Sequence, residues 1–239
     1  MNKNHIKILA ALFMLIDHAG LILFPKIIIL RYIGRLSFPL FAFCIADGCV
    51  YTKNRRQYFL RVLVLGVLCQ AAFAIEELVI SHRAFPGSAL YFNILFTFAL
   101  AILLCFAYLD TENRQDAKSV AKFCALLILI IIADRVCAYF SQREGAEISF
   151  DYGAAGAILP LFAVIKRKRE PRMLLYTVGM LLFCLAGAAK TPYTWFALLS
   201  LPILYFYNGE PGKLKLKYGF YVFYPAHLAV LYLIKLLTG

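Results

Sequence analysis

The sequence predicts an all-α membrane protein, a polytopic bundle of about nine transmembrane helices with a cytoplasmic N-terminus. Hydrophobic residues make up 63% of the 239 residues, and the mean hydropathy is +0.77. A soluble domain contains only about 45–50% apolar residues. The apolar residues fall in long runs joined by short loops, and the basic residues, which give a net charge of +12, gather between the runs. Lipid is therefore the predicted solvent for most of the chain.

Nine apolar runs approach the roughly 20 residues that a helix needs to cross the hydrocarbon core of a bilayer. They cover residues 6–24, 33–50, 58–77, 91–108, 119–141, 148–165, 173–188, 193–207 and 219–238. The short loops between them predict one domain over residues 1–239. Asp17 and His18 interrupt the first run and no small-x-small cleavage site follows it, so we expect a retained helix rather than a signal peptide.

Three clusters of basic residues orient the predicted helices. They follow the second run, follow the sixth run and precede the ninth, and they comprise Lys53, Arg55, Arg56 and Arg61; Lys166, Arg167, Lys168, Arg169 and Arg172; and Lys213, Lys215 and Lys217. If nine helices alternate in direction, all three clusters and the N-terminus share one side, which the positive-inside rule assigns to the cytoplasm. Nucleic-acid binding is not expected, because it requires a basic face on a soluble fold.

Polar side chains recur inside the apolar runs. An ionisable group in a lipid-embedded helix is costly unless it faces a protein interior or a wet cavity. On the predicted topology one set lies at a similar depth, from the middle to the outer part of the membrane: Asp17, His18, Arg35, Gln70, Asn93, Thr97 and Asp151. Their common depth predicts a polar cavity, and Asp47 alone stands clearly apart from it.

Asp17 and His18 are the first candidates for chemistry. Sequence neighbours on a helix point about 100° apart, so the two side chains require different partners. Arg35 is the predicted partner of Asp17, because the turn at 25–32 folds the second helix back on the first. A nearby guanidinium keeps a carboxylate ionised. His18 is then free to act as a general base. A polar network that only fixes helix packing is the alternative for this group.

Tyr224, His227, Asn93 and Thr97 are candidates for substrate binding. Tyr224 and His227 lie on either side of Pro225, and a proline bends a helix in a way that often opens a cavity. Asn93 and Thr97 are four residues apart and share a helix face. They contact either a polar substrate or a neighbouring helix.

Gln70 and Asp151 complete the set of candidate binding residues. Gln70 lies in the last third of the third run. Asp151 precedes Gly153 and Gly156, so it either contacts substrate or caps a helix that begins with a close-packing glycine face. The sequence contains no HExxH motif and no cluster of cysteine and histidine, so no metal is expected.

Six stretches, in order and covering most of the chain, carry a family resemblance. They are Ile8–Pro25, Arg31–Gly48, Asn54–Phe73, Phe92–Thr97, Asp151–Gly156 and Tyr224–His227. The chain resembles the TraX family, which is named for the F-pilin N-acetylase of conjugation. It departs from the family pattern at Asp47, where glutamate is usual, and at Ala72, where proline often follows the glutamine. The family is similar to a broader group of membrane acyltransferases, which includes acyltransferase-3 proteins and the lysosomal heparan glucosamine N-acetyltransferase.

The resemblance implies a polytopic enzyme of the bacterial cytoplasmic membrane. Such an enzyme takes an acetyl group from acetyl-CoA and places it on an amine or hydroxyl acceptor, which the sequence does not name. The resemblance also implies that His18 and Arg35 lie in the catalytic region. Asp17 then holds Arg35, and His18 takes the proton from the acceptor.

The remaining roles follow from that reaction. We expect the phosphates of coenzyme A near Lys53, Arg55 and Arg56 or near the 166–172 cluster. Arg35, Asn93 or Tyr224 would stabilise the oxyanion that forms during transfer. The alternative is a proton-coupled transporter or flippase that uses the same cavity. No inverted repeat or pair of broken helices in the sequence favours that alternative.

Overall fold

The computed structural model describes residues 1–75, 91–144, 148–188, 191–212 and 217–238. The α-helices are α1 (Lys3–Ile22), α2 (Ile29–Gly34), α3 (Ser37–Tyr51), α4 (Arg55–Ile75), α5 (Ile94–Arg114), α6 (Ala117–Glu144), α7 (Gly153–Val164), α8 (Arg169–Ala188), α9 (Ser200–Tyr205) and α10 (Lys217–Thr238). A 3₁₀ helix spans Pro192–Leu199, and two short strands are β1 (Tyr91–Phe92) and β2 (Ser149–Phe150). The predicted all-α class is confirmed.

Seven helical segments of the described residues are long and apolar enough to cross a membrane. They are Lys3–Ile22, Ile29–Tyr51, Arg55–Ile75, Ile94–Arg114, Ala117–Arg143, Arg169–Gly187 and Gly219–Thr238. Their exposed surfaces are rich in leucine, isoleucine, valine and phenylalanine, as a lipid-facing bundle requires. The chain is therefore an integral membrane protein. Its predicted orientation stays a prediction.

Each of the nine predicted runs contains helix, but two are shorter than the sequence suggested. The run at 148–165 contains α7, which has 12 residues. The run at 193–207 divides into the 3₁₀ helix and α9, and Pro192 opens the 3₁₀ helix. The end of the third run at 76–77 and two lysines of the third basic cluster, Lys213 and Lys215, lie outside the described residues.

The second run, 33–50, is not one helix. Helix α2 ends at Gly34, and α3 begins at Ser37. Pro39 lies in the first turn of α3, where the missing backbone N–H of proline costs no helical hydrogen bond, whereas in a helix interior it kinks or breaks the helix. The Ser37 hydroxyl donates to the carbonyl of Ala10 at 2.8 Å, so the start of α3 is tied to α1.

The runs at 91–108 and 148–165 begin in strand rather than in helix. β1 and β2 pair in parallel, with Tyr91 opposite Ser149 and Phe92 opposite Phe150. Tyr152, with φ of 61°, forms the N-cap of α7 and makes no side-chain cap bond. The structure thus places Tyr152, rather than Asp151, at the N-cap position, because the chain turns through a left-handed residue before the helix begins.

The described residues form two compact units. The first comprises Met1–Cys44 and Tyr176–Gly239, and the second comprises Ile45–Leu175. In the first unit α1 packs against α2 and α10, and α2 packs against the 3₁₀ helix. In the second unit α5 packs against α4, α6 and α7. The prediction of a single domain stays a prediction.

A tight turn joins α5 to α6 in the second unit. Gln115 adopts the left-handed conformation at φ 52° and closes α5 by donating its N–H to the carbonyl of Thr111. The Asp116 carboxylate then accepts the N–H of Ser119 at 2.8 Å and caps α6. Hydrogen bonding from Ser119 lowers the pKa of Asp116.

Candidate functional site

The Asp17 carboxylate in α1 binds two arginines. Arg35 donates from Nη2 to both carboxylate oxygens, at 2.7 and 2.9 Å. Arg31 donates from Nη1 to Oδ2 at 2.6 Å and to the Asp17 backbone carbonyl at 3.2 Å. Gly34 makes this approach possible, because a Cβ atom at that position would overlap the carboxylate. The α1–α2 connection thus builds a compact ion-pair network on the first unit.

The ion pair predicted between Asp17 and Arg35 is present, but Arg31 is a second partner that sequence reasoning missed. Arg31 was assigned to a loop, whereas it lies in α2, one turn before Arg35. In the described part of the chain, two guanidinium groups therefore face this one carboxylate. Arg35 also lies over the ring of Tyr193, 5.6 Å from its centroid, which adds a cation–π contact from the 3₁₀ helix.

His18 faces away from Asp17 and bonds to a histidine of α10. The His18 Nδ1 and His227 Nε2 atoms are 2.9 Å apart, and the ring centroids are 5.0 Å apart. As predicted from helix geometry, the two neighbours in α1 take different partners. The pairing of the two histidines was not predicted. Tyr224 is buried, and its ring forms a T-shaped pair with His227, with the ring centroids 5.9 Å apart. The Phe223 ring stacks on His227, with the ring centroids 4.8 Å apart.

These side chains form one group, which we call the His–Arg cluster: Asp17, His18, Arg31, Arg35 and His227. It combines a carboxylate, two guanidinium groups and two imidazole rings within membrane-spanning helices. Ionisable groups at such depth are costly and commonly mark functional sites. Within the described residues no group of three or more histidine, cysteine, aspartate or glutamate side chains is arranged to hold a metal ion.

A second polar group lies in the second unit, and we call it the amide cluster: Gln70, Tyr91, Asn93, Thr97 and Asp151. The Tyr91 hydroxyl donates to Asp151 Oδ1 at 2.8 Å, and Thr97 Oγ1 donates to the Asp151 carbonyl at 2.6 Å. Gln70 Nε2 donates to the Tyr91 carbonyl at 3.0 Å. Most of these bonds end on backbone atoms where β1, β2 and α5 meet.

The hydrogen bonds of Asn93 favour contact with a neighbouring helix, the alternative to substrate binding for this residue. Its Nδ2 donates to the Gly66 carbonyl at 2.9 Å and to Gln70 Oε1 at 3.0 Å, so both amide hydrogens are used. Its Oδ1 accepts the N–H of Leu95 and caps α5. No amide hydrogen remains for a substrate oxyanion, and Asn93 is only 4% exposed. That Gln70, Thr97 and Asp151 bind substrate stays a prediction, as does a cavity shared with His18.

The predicted coenzyme A residues lie at one end of α4 and just before it. Lys53 and Arg56 are exposed. Arg55 donates to Asp110 Oδ1 at 2.5 Å and lies 5.2 Å from the centroid of Phe106. Arg55, Phe106 and Asp110 also line a groove of about 530 Å³ with otherwise mostly apolar walls, and Lys122 lies in the same lining.

Asp47 has a partner that the sequence did not indicate. Arg172 donates from Nη2 to Asp47 Oδ1 at 2.6 Å and from Nε to the carbonyl of Ala163 at 2.8 Å. Both charged side chains are largely buried. The two residues are 125 positions apart in the chain, and Arg172 had been assigned to a cytoplasmic basic cluster. Asp47 is thus part of an ion pair within the second unit.

The fold and the His–Arg cluster define a polytopic membrane protein whose membrane-spanning helices carry paired ionisable side chains. The family model described as TraX protein matches residues 2–235. The chain belongs to the TraX family, so the resemblance carried by the sequence stretches is confirmed. No solved structure matches the chain.

Two curated proteins are similar to the chain. A probable fimbrial assembly protein FimC, serogroup H1, of Dichelobacter nodosus is 28% identical over 251 residues, covering 95% of this chain and 92% of the relative. An uncharacterized protein of Rickettsia prowazekii (strain Madrid E) is 40% identical over 68 residues, covering 28% of this chain and 25% of the relative.

Proposed function

We propose that this protein is a membrane acetyltransferase that moves the acetyl group of acetyl-CoA to an amine or hydroxyl acceptor. One observation carries the proposal: a half-buried histidine in a membrane-spanning helix lies next to an ion-pair network in which two guanidinium groups share one carboxylate. A histidine supplies a base and a guanidinium supplies electrostatic stabilisation, and acyl transfer needs both. Membership of the TraX family supports the reaction class.

The proposed reaction is a direct transfer. His18 takes the proton from the acceptor N–H or O–H while the acceptor atom bonds to the carbonyl carbon of the thioester. The negative charge on the carbonyl oxygen is stabilised by Arg31 or Arg35, the two cations that share one carboxylate. The carbon–sulfur bond then breaks, and the departing thiolate of coenzyme A receives the proton from His18.

Coenzyme A is the proposed donor carrier, with its phosphates bound by Lys53, Arg55 and Arg56. Lys53 and Arg56 are exposed, and Arg55 lines the apolar groove beside Lys122. Charge-assisted bonds from such side chains are well suited to phosphate. Because Asp110 already engages Arg55, we expect Arg56 to contribute more than Arg55 to the affinity.

The acceptor is proposed to be a protein subunit of a surface fibre, acting through an amine or hydroxyl group. The name of the Dichelobacter nodosus relative, a probable fimbrial assembly protein, supports a fibre subunit as the first protein acceptor to test. The bacterial cytoplasmic membrane is the proposed location. An enzyme in this membrane would have access to acetyl-CoA from the cytoplasm and to fibre subunits before their assembly.

The direct test uses purified protein in nanodiscs with radiolabelled acetyl-CoA. Thermal unfolding with and without coenzyme A measures binding, and label transfer to a small primary amine, a sugar alcohol and a pilin peptide measures chemistry. We expect coenzyme A to stabilise both the wild type and His18→Gln, with transfer lost only in the variant. His5→Gln is the matched histidine control, since His5 lies at the first turn of α1.

The opposite result would overturn the proposal. If neither acetyl-CoA nor a longer acyl-CoA stabilises the protein, and no label is transferred, the enzyme assignment fails. Uptake of a solute into vesicles driven by a proton gradient, and lost in His18→Gln, would favour the transporter alternative instead.

A further inference from the structure

The ring of His227 is held on several sides. It is 5% exposed, it stacks on Phe223 with an interplanar angle of 10°, and it contacts the edge of Tyr224. Its Nδ1 lies 2.8 Å from the carbonyl oxygen of Phe223, one turn earlier in α10. Its Nε2 lies 2.9 Å from Nδ1 of His18. Both ring nitrogens of His227 are therefore engaged in defined contacts.

The Phe223 carbonyl sets the direction of these hydrogen bonds. A carbonyl oxygen can only accept, so Nδ1 of His227 must carry a proton and donate it. A neutral imidazole has one N–H, so Nε2 of His227 is an acceptor. The His18 Nδ1 must then donate to it. His18 is left with its lone pair on Nε2, because its single N–H is on Nδ1. The His18 ring also has a hydrogen bond to the backbone of Met14, one turn earlier in α1.

We propose that His227 is a positioning residue that fixes His18 in the Nδ1–H tautomer and so makes His18 Nε2 the base. The catalytic consequence rests on the proposed function, but the tautomer does not. When Nε2 takes a proton from the acceptor, His18 becomes an imidazolium and its Nδ1–H donates to His227 Nε2 as a stronger, charge-assisted bond. The proton on Nε2 is later returned to the departing thiolate, which restores the starting tautomer.

A neutral hydrogen-bond acceptor, such as the His227 ring, suits this position within membrane-spanning helices. An orienting carboxylate would add a second buried anion, and charged groups in membrane helices are costly. The carboxylate available in α1, Asp17, is already engaged by Arg31 and Arg35 on another face of the helix.

Nitrogen NMR of [¹⁵N]histidine-labelled protein in nanodiscs tests the proposal directly. The chain has four histidines, and His→Gln variants assign their signals. Wild-type His18 is expected to show a protonated Nδ1 and an unprotonated Nε2. His227→Leu removes the acceptor and should give a mixture of tautomers for His18. His227→Gln keeps an acceptor oxygen at a similar reach, so it should restore the single tautomer.

Turnover provides the second readout. We expect kcat to fall about 10²-fold in His227→Leu, because the wrong tautomer cannot act as the base, and to recover most of that loss in His227→Gln. KM for acetyl-CoA should change little in either variant. His5→Gln should match the wild type in both measurements.

Two results would overturn the proposal. One is a wild-type His18 with its proton on Nε2, and the other is a His18 signal that His227→Leu leaves unchanged. The wild-type spectrum decides the question even if His227→Leu fails to fold. If the spectra agree but no acyl transfer is found, the proposed function fails while the role of His227 in fixing the tautomer stands.

Discussion

In the first unit a carboxylate, two guanidinium groups and two imidazoles meet between α1, α2 and α10, whereas the polar group of the second unit consists of amides, hydroxyls and one carboxylate. The amide cluster donates hydrogen bonds to the backbone carbonyls of Tyr91 in β1, Gly66 in α4 and Asp151, which follows β2. The His–Arg cluster instead brings two guanidinium groups to one carboxylate and pairs two imidazole rings. The comparison suggests that one cluster serves chemistry and the other holds irregular backbone in place.

Asp17→Asn should give the largest effect on stability and should also lower turnover. The change leaves two largely buried guanidinium groups without their anion, and breaking a buried ion pair costs roughly 3–5 kcal/mol. Turnover should fall about 10²-fold because Arg35 loses its position. Chemical unfolding in detergent measures the first effect and label transfer measures the second.

Glu112→Gln is the matched control for that prediction. Glu112 pairs with Arg167 at 3.2 Å, but that arginine side chain is 60% exposed. An exposed pair contributes about 0–1 kcal/mol, so the variant should unfold like the wild type. If Asp17→Asn is as stable and active as Glu112→Gln, the ion-pair network has no role in fold or function.

Gly34→Ala should disturb the His–Arg cluster without removing any of its charges. Its new Cβ would overlap the Asp17 carboxylate, which must move. Displacement of a catalytic group by about 1 Å can cost roughly 10²-fold in rate, so we expect at least a tenfold loss of kcat. Gly66→Ala is the control, since its Cβ would lie 3.2 Å from Leu95 Cβ and needs only a small shift. Equal turnover in the two variants would contradict the assignment.

Asn93→Ala should lower stability and leave chemistry unchanged. The variant loses the cap of α5 and the bonds to Gly66 and Gln70, which together cost about 1–3 kcal/mol. Turnover per folded molecule should stay at the wild-type value. A loss of turnover greater than the loss of folded protein would return Asn93 to the substrate-binding residues.

Thr97→Val should have the smallest effect of the series. It removes one hydroxyl bond to the Asp151 carbonyl and keeps the side-chain shape, so we expect about 1 kcal/mol of destabilisation. KM for acetyl-CoA and for the acceptor should not change. A raised KM for the acceptor would show that the hydroxyl contacts substrate.

The membrane fold was predictable because backbone groups in lipid must bond within their own segment, which makes apolar runs into helices. The positions at which the helices begin and end were less predictable. Asn93, Tyr152 and Pro39 shifted or divided predicted helices through local cap and turn chemistry that hydropathy does not report.

The candidate site was predictable where its partners lie close in sequence. Asp17 and Arg35 are 18 residues apart and joined by one turn, so helix geometry could pair them. His18 and His227 are 209 residues apart, and Asp47 and Arg172 are 125 apart. Depth in the membrane restricts such partners but does not select among them. Arg31 was missed because it was assigned to the turn at 25–32, whereas it lies in α2, a helix of only six residues.

The central claim is that the His–Arg cluster carries the chemistry and the amide cluster does not. A single-turnover assay with radiolabelled acetyl-CoA on His18→Gln and Asn93→Ala, each at a matched concentration of folded protein in nanodiscs, tests it most directly. We predict that Asn93→Ala transfers label at the wild-type rate, whereas His18→Gln is slower by about 10²-fold or more. Equal rates in the two variants, or a slower rate in Asn93→Ala, would contradict the account.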